Sequence, residues 1–320
     1  PFLSNLTGGD NGLSLPYSIG FLPNNNGYTD AGVFATNTAT TTGATAVEDG
    51  AFSIQRPDGK FVIFEAGSGE SGTRTSIYDP ISNTMVAGPS TGVGIGPGGH
   101  AIQRPDGKFL VIEGAGISVG KNTRLYNPVS NTFSAGPNLI DNTGQGSYSL
   151  LRPDGKFLII EGGSVASPSV YDPIANTMAT GTPLTATAGR GAHSILRPDG
   201  KFLVIHGNGG ATTTIYDPVS FATLSGPTTT ASVSNGGHSL QRPDGKFLIV
   251  HGGGLDSTSV YDPLANTMSV GPTLIQTMTT GSNALQRADG KFLILPGGSI
   301  GATTLYDPVA NTATSGPTIS

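Results

Sequence analysis

Short apolar segments of about four residues recur along the chain, and clusters of Gly, Pro, Asn and Asp separate them. Around position 242 this pattern predicts four consecutive strands, over His238–Gln241, Phe247–His251, Thr258–Tyr261 and Thr267–Val270. Between the first two strands, Pro243-Asp244-Gly245 has the composition of a tight hairpin turn. The 3.6-residue period of a helix does not occur in the unit, so we predict an all-β chain.

This unit is repeated. Arg-Pro-Asp-Gly-Lys-Phe begins at Arg56, Arg104, Arg152, Arg197 and Arg242, and a copy with Ala in place of Pro begins at Arg287. The steps are 48, 48, 45, 45 and 45 residues. A second marker, Tyr-Asp-Pro, follows in phase at Tyr78, Tyr171, Tyr216, Tyr261 and Tyr306, with Tyr126-Asn127-Pro128 completing the set. Four strands at this period are typical of a β-propeller blade.

The first fifty residues fit a degenerate blade, because Ile19–Pro23 resembles the second strand at Phe292–Pro296. We therefore predict a single β-propeller domain over residues 1–320, most simply with seven four-stranded blades. Their approximate ranges are 1–46, 47–95, 96–144, 145–189, 190–234, 235–279 and 280–320. A six-bladed ring with an N-terminal arm is the alternative.

Two further features carry a family resemblance. Second strands end in paired glycines (Gly162-Gly163, Gly252-Gly253 and Gly297-Gly298), and Tyr-Asp-Pro is followed by Asn-Thr. In these features the chain resembles the kelch-type propellers, which include galactose-oxidase-like proteins, although the Trp usual after Asn-Thr is missing. The resemblance implies the propeller fold. Those oxidases use copper and a Tyr cross-linked to Cys, and since this chain has no Cys, their activity is not expected to carry over.

Composition narrows the function classes. The 49 Gly and 23 Pro residues require frequent turns, and the absence of Cys excludes disulfides and thiolate metal sites. A net charge of −5 and a pI near 5.4 argue against a nucleic-acid binder, and no apolar run is long enough to insert into a membrane. Because the chain begins at Pro1, we expect a processed form or a fragment.

Charge is concentrated in the two repeated turns. In a four-stranded blade the first-to-second and third-to-fourth turns lie on one face of the disc, which we call the turn face. Its turns hold 12 basic and 11 acidic residues, a net charge of +1, whereas the 4 basic and 10 acidic residues elsewhere give −6. We expect local ion pairing on the turn face and specific recognition by the variable loops of the opposite face.

All five His residues occupy repeat positions, and three Glu residues share one of these positions. His100, His193 and His238 lie four residues before the turn Arg. Nine residues after it stand Glu65, Glu113, Glu161, His206 and His251. We predict that these eight side chains form a ring near the mouth of the central channel. His206, His251 and Glu161 are the candidates for metal ligands, but compact ligand spacing is lacking, so we expect neither a metal nor a cofactor.

No unique catalytic constellation stands out, so no catalytic residue is predicted. Our first hypothesis is a non-enzymatic, secreted, extracellular or cell-surface propeller that binds other proteins. It could contact another surface protein or itself, as a self-assembling homo-oligomer, filament or surface-layer subunit. Residues 1–12 could then add to a strand edge of a neighbour.

A lectin-like glycan binder is the second hypothesis, with Tyr17, Tyr28, Tyr148 and Phe221 as the aromatic platforms. A metal-dependent enzyme at the channel mouth is the third. Asn5 begins a possible N-glycosylation sequon, Asn5-Leu6-Thr7.

Overall fold

The computed structural model describes residues 51–66, 72–114, 120–163, 165–298 and 300–319. These residues form six four-stranded antiparallel sheets, and the strands of each sheet pair in chain order. The all-β prediction is therefore confirmed. Residues 1–46, to which the degenerate blade was assigned, lie outside the described residues, so the count of seven blades stays a prediction.

The sheets follow one another along the chain. The first three contain β1 (Phe52–Gln55), β2 (Phe61–Phe64), β3 (Thr75–Asp79) and β4 (Thr84–Ala87); β5 (His100–Gln103), β6 (Phe109–Ile112), β7 (Thr123–Asn127) and β8 (Thr132–Ala135); and β9 (Tyr148–Leu151), β10 (Phe157–Ile160), β11 (Ser169–Asp172) and β12 (Thr177–Thr180). The last three contain β13 (His193–Leu196), β14 (Phe202–Ile205), β15 (Thr213–Tyr216) and β16 (Thr223–Ser225); β17 (His238–Gln241), β18 (Phe247–Val250), β19 (Thr258–Asp262) and β20 (Thr267–Val270); and β21 (Asn283–Gln286), β22 (Phe292–Leu295), β23 (Thr304–Asp307) and β24 (Thr312–Ser315). The four strands predicted around position 242 agree with β17–β20 to within one residue.

The first hairpin turn is fixed by two hydrogen bonds and one residue in the left-handed conformation. In the fifth sheet the Arg242 amide donates to the Lys246 carbonyl over 2.8 Å, and the Lys246 amide donates to Asp244 Oδ1 over 3.2 Å. Gly245 has a φ of +79°, a value that a side chain would disfavour. The repeated sequence Pro-Asp-Gly therefore supplies the φ preset, the side-chain acceptor and the left-handed residue that this turn requires.

The Gly-Pro marker after the fourth strand has a steric cause. In the fifth sheet Thr258 Oγ1 donates to the Pro272 carbonyl over 2.7 Å. A Cβ atom at Gly271 would overlap that same hydroxyl. Because glycine has no Cβ, the chain can pass close to the third strand where the fourth strand ends.

The core lies between the sheets. Five clusters of buried side chains each join two consecutive sheets; between the fifth and sixth sheets, for example, Leu240 and Leu248 pack with Phe292 and Tyr306. Second strands are largely buried, whereas fourth strands are mostly exposed. The sheets thus pack face to face in sequence order. None of the described residues belongs to a helix with the length and apolarity that crossing a bilayer requires.

One polar contact recurs at these junctions, and we call it the arginine latch. The first-turn Arg of one sheet reaches the Tyr of the Tyr-Asp-Pro turn in the next sheet and the Asn five residues after that Tyr. Arg197, for example, donates to the Tyr261 hydroxyl and, over 2.6 Å, to Asn266 Oδ1. Equivalent contacts involve Arg56 with Asn131, Arg104 with Tyr171 and Asn176, and Arg242 with Tyr306 and Asn311. Each of these Arg residues also pairs with the Asp two residues further on.

The latch between the third and fourth sheets departs from this pattern. Phe221 occupies the Asn position, and the Arg152 guanidinium lies 3.9 Å from the centroid of its ring. The five Asn residues at this position and Phe221 all have a φ between 53° and 63°. Asn tolerates this left-handed conformation, whereas Phe is strained in it. A cation–π contact has therefore replaced a hydrogen bond at the cost of backbone strain.

We expect Phe221→Asn to stabilise the protein. The substitution relieves the strain of the left-handed conformation. It also gives Arg152 an Asn oxygen as acceptor, as the turn Arg has at the other latches, although the contact with the aromatic ring is lost. The free energy of unfolding in urea should rise by about 1 kcal/mol. Asn266→Phe is the reciprocal control and should lower it; a destabilising Phe221→Asn would show that the ring contact outweighs the strain.

Candidate functional site

The charges of the turn face are paired with one another. Each of the six turn Arg residues forms an ion pair with the Asp two positions later, at 2.7–3.1 Å. Five turn Lys residues pair with the Asp of the Tyr-Asp-Pro turn at 3.0–3.3 Å. In the second sheet Asn127 replaces that Asp, and Lys108 lies 3.6 Å from Asp106 instead. The expected local pairing is thus observed, and the face has little unpaired charge.

Exposed aliphatic side chains stand among these ion pairs, one in each described sheet. They occupy the position directly after Tyr-Asp-Pro or Tyr-Asn-Pro, and their exposed fractions range from 72 to 94%. We call them the outer aliphatic set; its members are Ile81, Val129, Ile174, Val219, Leu264 and Val309. Every third-to-fourth turn of the described chain therefore presents an apolar side chain to solvent.

The conformation of these turns does not depend on the aliphatic side chain. In the fifth sheet Asp262 Oδ1 accepts hydrogen bonds from the amides of Leu264 and Ala265, both over 3.0 Å. Asn266 then adopts a φ of 53°. The same Asp also holds Lys246 at 3.0 Å. Since polar contacts fix the turn, the exposed Leu264 side chain has no structural task within it.

The predicted channel residues on the first strands are buried and link neighbouring sheets. His100 Nδ1 bonds the Gly98 carbonyl over 2.9 Å, and Nε2 bonds Ser149 Oγ of the next sheet over 2.6 Å. His193 repeats this arrangement with Gly191 and with Ser239 of the next sheet. Burial lowers the pKa of both imidazoles to about 4. These two His residues therefore stay neutral and join adjacent first strands.

His238 has no bond to a Ser of the next described sheet, unlike His100 and His193. Its Nδ1 bonds the Gly236 carbonyl over 2.9 Å, but among the described residues its buried Nε2 has no hydrogen-bond partner. The residue of the next sheet that corresponds to Ser149 and Ser239 is Ala284, which carries no hydroxyl.

His206 and His251 bond within their own sheets. Nδ1 of His206 bonds Thr212 Oγ1 over 2.9 Å, and Nε2 bonds Thr214 Oγ1 over 2.8 Å. His251 makes the same two contacts with Ser257 and Ser259. Burial lowers the pKa of each imidazole to about 4. Both nitrogens of each ring are thus already engaged, and neither ring has a lone pair free for a metal.

The three Glu residues at the same position also contact their own third strands. Glu65 accepts a hydrogen bond from Ser76 over 2.5 Å, and Glu161 accepts one from Ser169. Glu113 lies 3.6 Å from Arg124 Nε. Burial raises the pKa of Glu161 to about 7 against the opposing effect of the Ser169 bond. The eight predicted residues thus occupy two sets of equivalent buried positions, where they contact hydroxyl, backbone and Arg groups.

A metal site is not formed by the part of the chain that the structure describes, because no three His, Asp or Glu side chains there are grouped to hold an ion. The metal-ligand candidates His206, His251 and Glu161 each bind a Ser or Thr of the third strand instead.

The prediction that Tyr148 and Phe221 bind a glycan on the variable-loop face is wrong. Tyr148 is buried in the core between the third and fourth sheets, because its first strand packs against the next sheet. Phe221 lies on the turn face, where it stacks on Arg152, and not among the variable loops. Tyr17, Tyr28 and the Asn5 sequon lie outside the described residues.

Neither a protein-family model nor a curated protein sequence matches the chain. Solved structures do match, and one of them is a fungal alcohol oxidase of the AA5 family in complex with copper. Its sequence identity to this chain is 17% and the TM-score is 0.59; the likeness covers 78% of this chain and 58% of the oxidase. The chain thus spans a little over half of that oxidase. Together with the six sheets, the likeness supports a β-propeller, whereas the kelch type stays a prediction.

The comparison contradicts our prediction that the protein is not an enzyme, because the similar structure is a catalytically active oxidase. At this identity the likeness shows the fold, and it transfers no copper site. The described residues do not fit a copper ion: four of the five imidazoles have both nitrogens hydrogen-bonded, and His238 belongs to no group of three described His, Asp or Glu side chains.

Ala284→Ser should stabilise the junction between the fifth and sixth sheets. The new hydroxyl would stand where Ser239 meets His193, and it would satisfy the buried Nε2 of His238. We expect the free energy of unfolding in urea to rise by about 1 kcal/mol. The matched variant Ser239→Ala removes the equivalent bond and should cost about 1–3 kcal/mol. If both variants left the stability unchanged, the His–Ser contact would contribute nothing to the junction.

Glu161→Gln should change how stability depends on pH. Because the folded protein holds the Glu161 proton up to about pH 7, the folded state binds more protons than the unfolded state between about pH 4.5 and 7. In wild type this carboxyl therefore lowers stability as the pH rises through that window. Gln cannot ionise and does not have this pH dependence. The free energy of unfolding of the variant, relative to that of wild type, should therefore rise by roughly 1–3 kcal/mol from pH 4.5 to 8. Urea unfolding at both pH values measures it, and a pH-independent difference would contradict the raised pKa.

Proposed function

We propose that the protein acts through protein–protein contact made by its turn face. The observation that carries this proposal is the outer aliphatic set, which places an apolar side chain at the same exposed turn position in each of the six described sheets. Single exposed apolar residues are common on protein surfaces. Here the exposed apolar residue recurs at one position on every described sheet, so a partner that spans the turn face would meet several of them.

The charges around the set support a protein partner. The Arg and Lys groups of the turns are engaged with Asp residues of the same face, so a partner does not have to neutralise a strong field. Protein interfaces combine exposed apolar side chains with polar groups of balanced charge, and the turn face offers both. Phe221, whose exposed fraction is 40%, adds an aromatic side chain to the same face.

The turn face, and not the variable loops, is thus the surface we propose for recognition, which departs from our expectation from the sequence. A glycan-binding function has no comparable support, because Tyr148 is buried and Phe221 stacks on Arg152. An extracellular location stays a prediction.

A peptide selection tests the proposal. Random peptides displayed on phage are selected on the wild-type protein and then measured against a variant in which all six members of the outer aliphatic set are replaced by Ser. We expect enrichment of apolar and aromatic peptides, with binding at least tenfold weaker to the variant. The variant should remain folded, because the Asp side chains and not the aliphatic groups hold these turns.

The matched control carries Leu224→Ser and Val270→Ser, which remove exposed aliphatic groups from fourth strands. It should bind the selected peptides as wild type does. Peptides that bind the six-residue variant as tightly as wild type would show that the turn face is not the contact surface.

A further inference from the structure

The first and the sixth sheet each have one apolar face that none of the other described sheets covers. On the sixth sheet the exposed fraction of Leu285 is 54%, whereas its equivalent Leu240 on the fifth sheet is 2% exposed because the sixth sheet covers it. Leu293, Leu295 and Leu305 lie on the same face and are half-buried. This face has the composition of a propeller core and lies at the end of the array.

The first sheet has the complementary face. Phe61, Ile63 and Tyr78 are half-buried there. Their equivalents on the second sheet, Phe109, Val111 and Tyr126, are buried against the first sheet. At each described junction, a face of the Leu285 type packs on a face of the Phe61 type. The two uncovered faces are thus the two halves of one more junction.

The donor and the acceptors of an arginine latch are also separated, with the donor on the sixth sheet and the acceptors on the first. The side chain of Arg287 is 47% exposed, against 6–12% for the other five turn Arg residues, and its ion-pair partner among the described residues is Asp289. On the first sheet Tyr78 donates to Asn83 over 3.1 Å, and none of the described Arg residues reaches this pair. Arg287 and the Tyr78–Asn83 pair are therefore the donor and the acceptors of a sixth latch.

The sequence limits what can complete this junction. Residues 1–50 contain neither Arg nor Lys, so they have no guanidinium for Tyr78 and Asn83. Within one chain, the described faces of the first and sixth sheets are only partly buried, and no core cluster of the described residues joins them. The Arg287 turn of another chain satisfies both the apolar and the polar requirement.

We propose that a second copy of this chain docks head to tail, with the sixth sheet of one copy packed on the first sheet of the next. Arg287 of the first copy then donates to Tyr78 and Asn83 of the second. Asn283 meets Ser53 at the place where His193 meets Ser239 within the chain. This surface differs from the turn face, so the inference is independent of the proposed function.

Such a contact joins two different faces, and every added copy leaves one face of each type at the ends. Heterologous contacts of this kind close into a ring or continue as a filament. The assembled state should therefore grow with protein concentration and not stop at a two-fold dimer.

Site-directed cross-linking tests the contact, and the absence of Cys from the chain makes it free of background. One chain carries Ser82→Cys, next to Asn83, and a second chain of different mass carries Ala288→Cys, which leaves Arg287 in place. A short bis-maleimide should join them into a mixed dimer in preference to either homodimer. Pro153→Cys is the matched control for Ala288→Cys, because Pro153 is the exposed residue at the same position of the repeated turn on the third sheet; it should give no mixed dimer.

A positive control shows that the reagent can span a formed latch: a chain that carries both Pro243→Cys and Ala310→Cys keeps the bond from Arg242 to Asn311 and should cross-link internally. A chain that carries both Ser82→Cys and Ala288→Cys should then form a ladder of multimers. Internal cross-linking alone would overturn the proposal in favour of a self-closed six-sheet ring. A lack of any cross-link would also overturn it, and recovery of cross-linking when residues 1–46 are deleted would identify that segment as the occupant.

Sedimentation velocity provides the second measurement. The apparent mass of wild type should rise with concentration, and Leu285→Asp should weaken this association at least tenfold. Leu224→Asp, which places the same charge at an exposed position of a fourth strand, should associate as wild type does. Equal association of the two variants, or a wild type that stays monomeric at high concentration, would contradict the proposal.

Discussion

The arginine latch is the contact on which the spacing of the sheets depends. A guanidinium that is nearly buried lies between an Asp of its own turn and the Tyr and Asn of the next sheet. Such a charge is costly to bury unless its donors are satisfied from several sides. The planar group therefore fixes the distance and angle at which the next sheet can approach. The apolar clusters then fill the space that this geometry leaves.

Much of the fold could be predicted from the sequence because the local chemistry is repeated and unambiguous. Pro-Asp-Gly specifies a hairpin on its own, and the short apolar runs mark the strands, so the fifth sheet was predicted to within a residue. The partner of Arg242 could not be predicted in the same way. Arg242 contacts Asn311 across 69 positions, and the hexapeptide itself shows only the Asp two residues away.

The candidate site shows the same limit. The His and Glu positions were found because they repeat, but their environment depends on Ser and Thr hydroxyls whose partners the repeat does not reveal. Ser149 and Ser239 form hydrogen bonds with imidazoles of the preceding sheet. These contacts depend on the angle at which two sheets pack, which the sequence does not specify. The outer aliphatic set did have a signal, namely an aliphatic residue after every Tyr-Asp-Pro or Tyr-Asn-Pro. Its exposure became evident only once Asp262 and its equivalents were seen to hold the turn.

The positions at which the repeat is irregular affect how the sheets pack in the correct order during folding. Near-identical units are interchangeable, so a sheet could pack on the wrong neighbour with almost the same energy. Phe221 accepts Arg152 by stacking, a contact with no equivalent at the other described latches. Tyr148 occupies the position that His fills in the second, fourth and fifth sheets. Such irregular residues act as labels on particular junctions, and they mark the third sheet as the neighbour of the fourth.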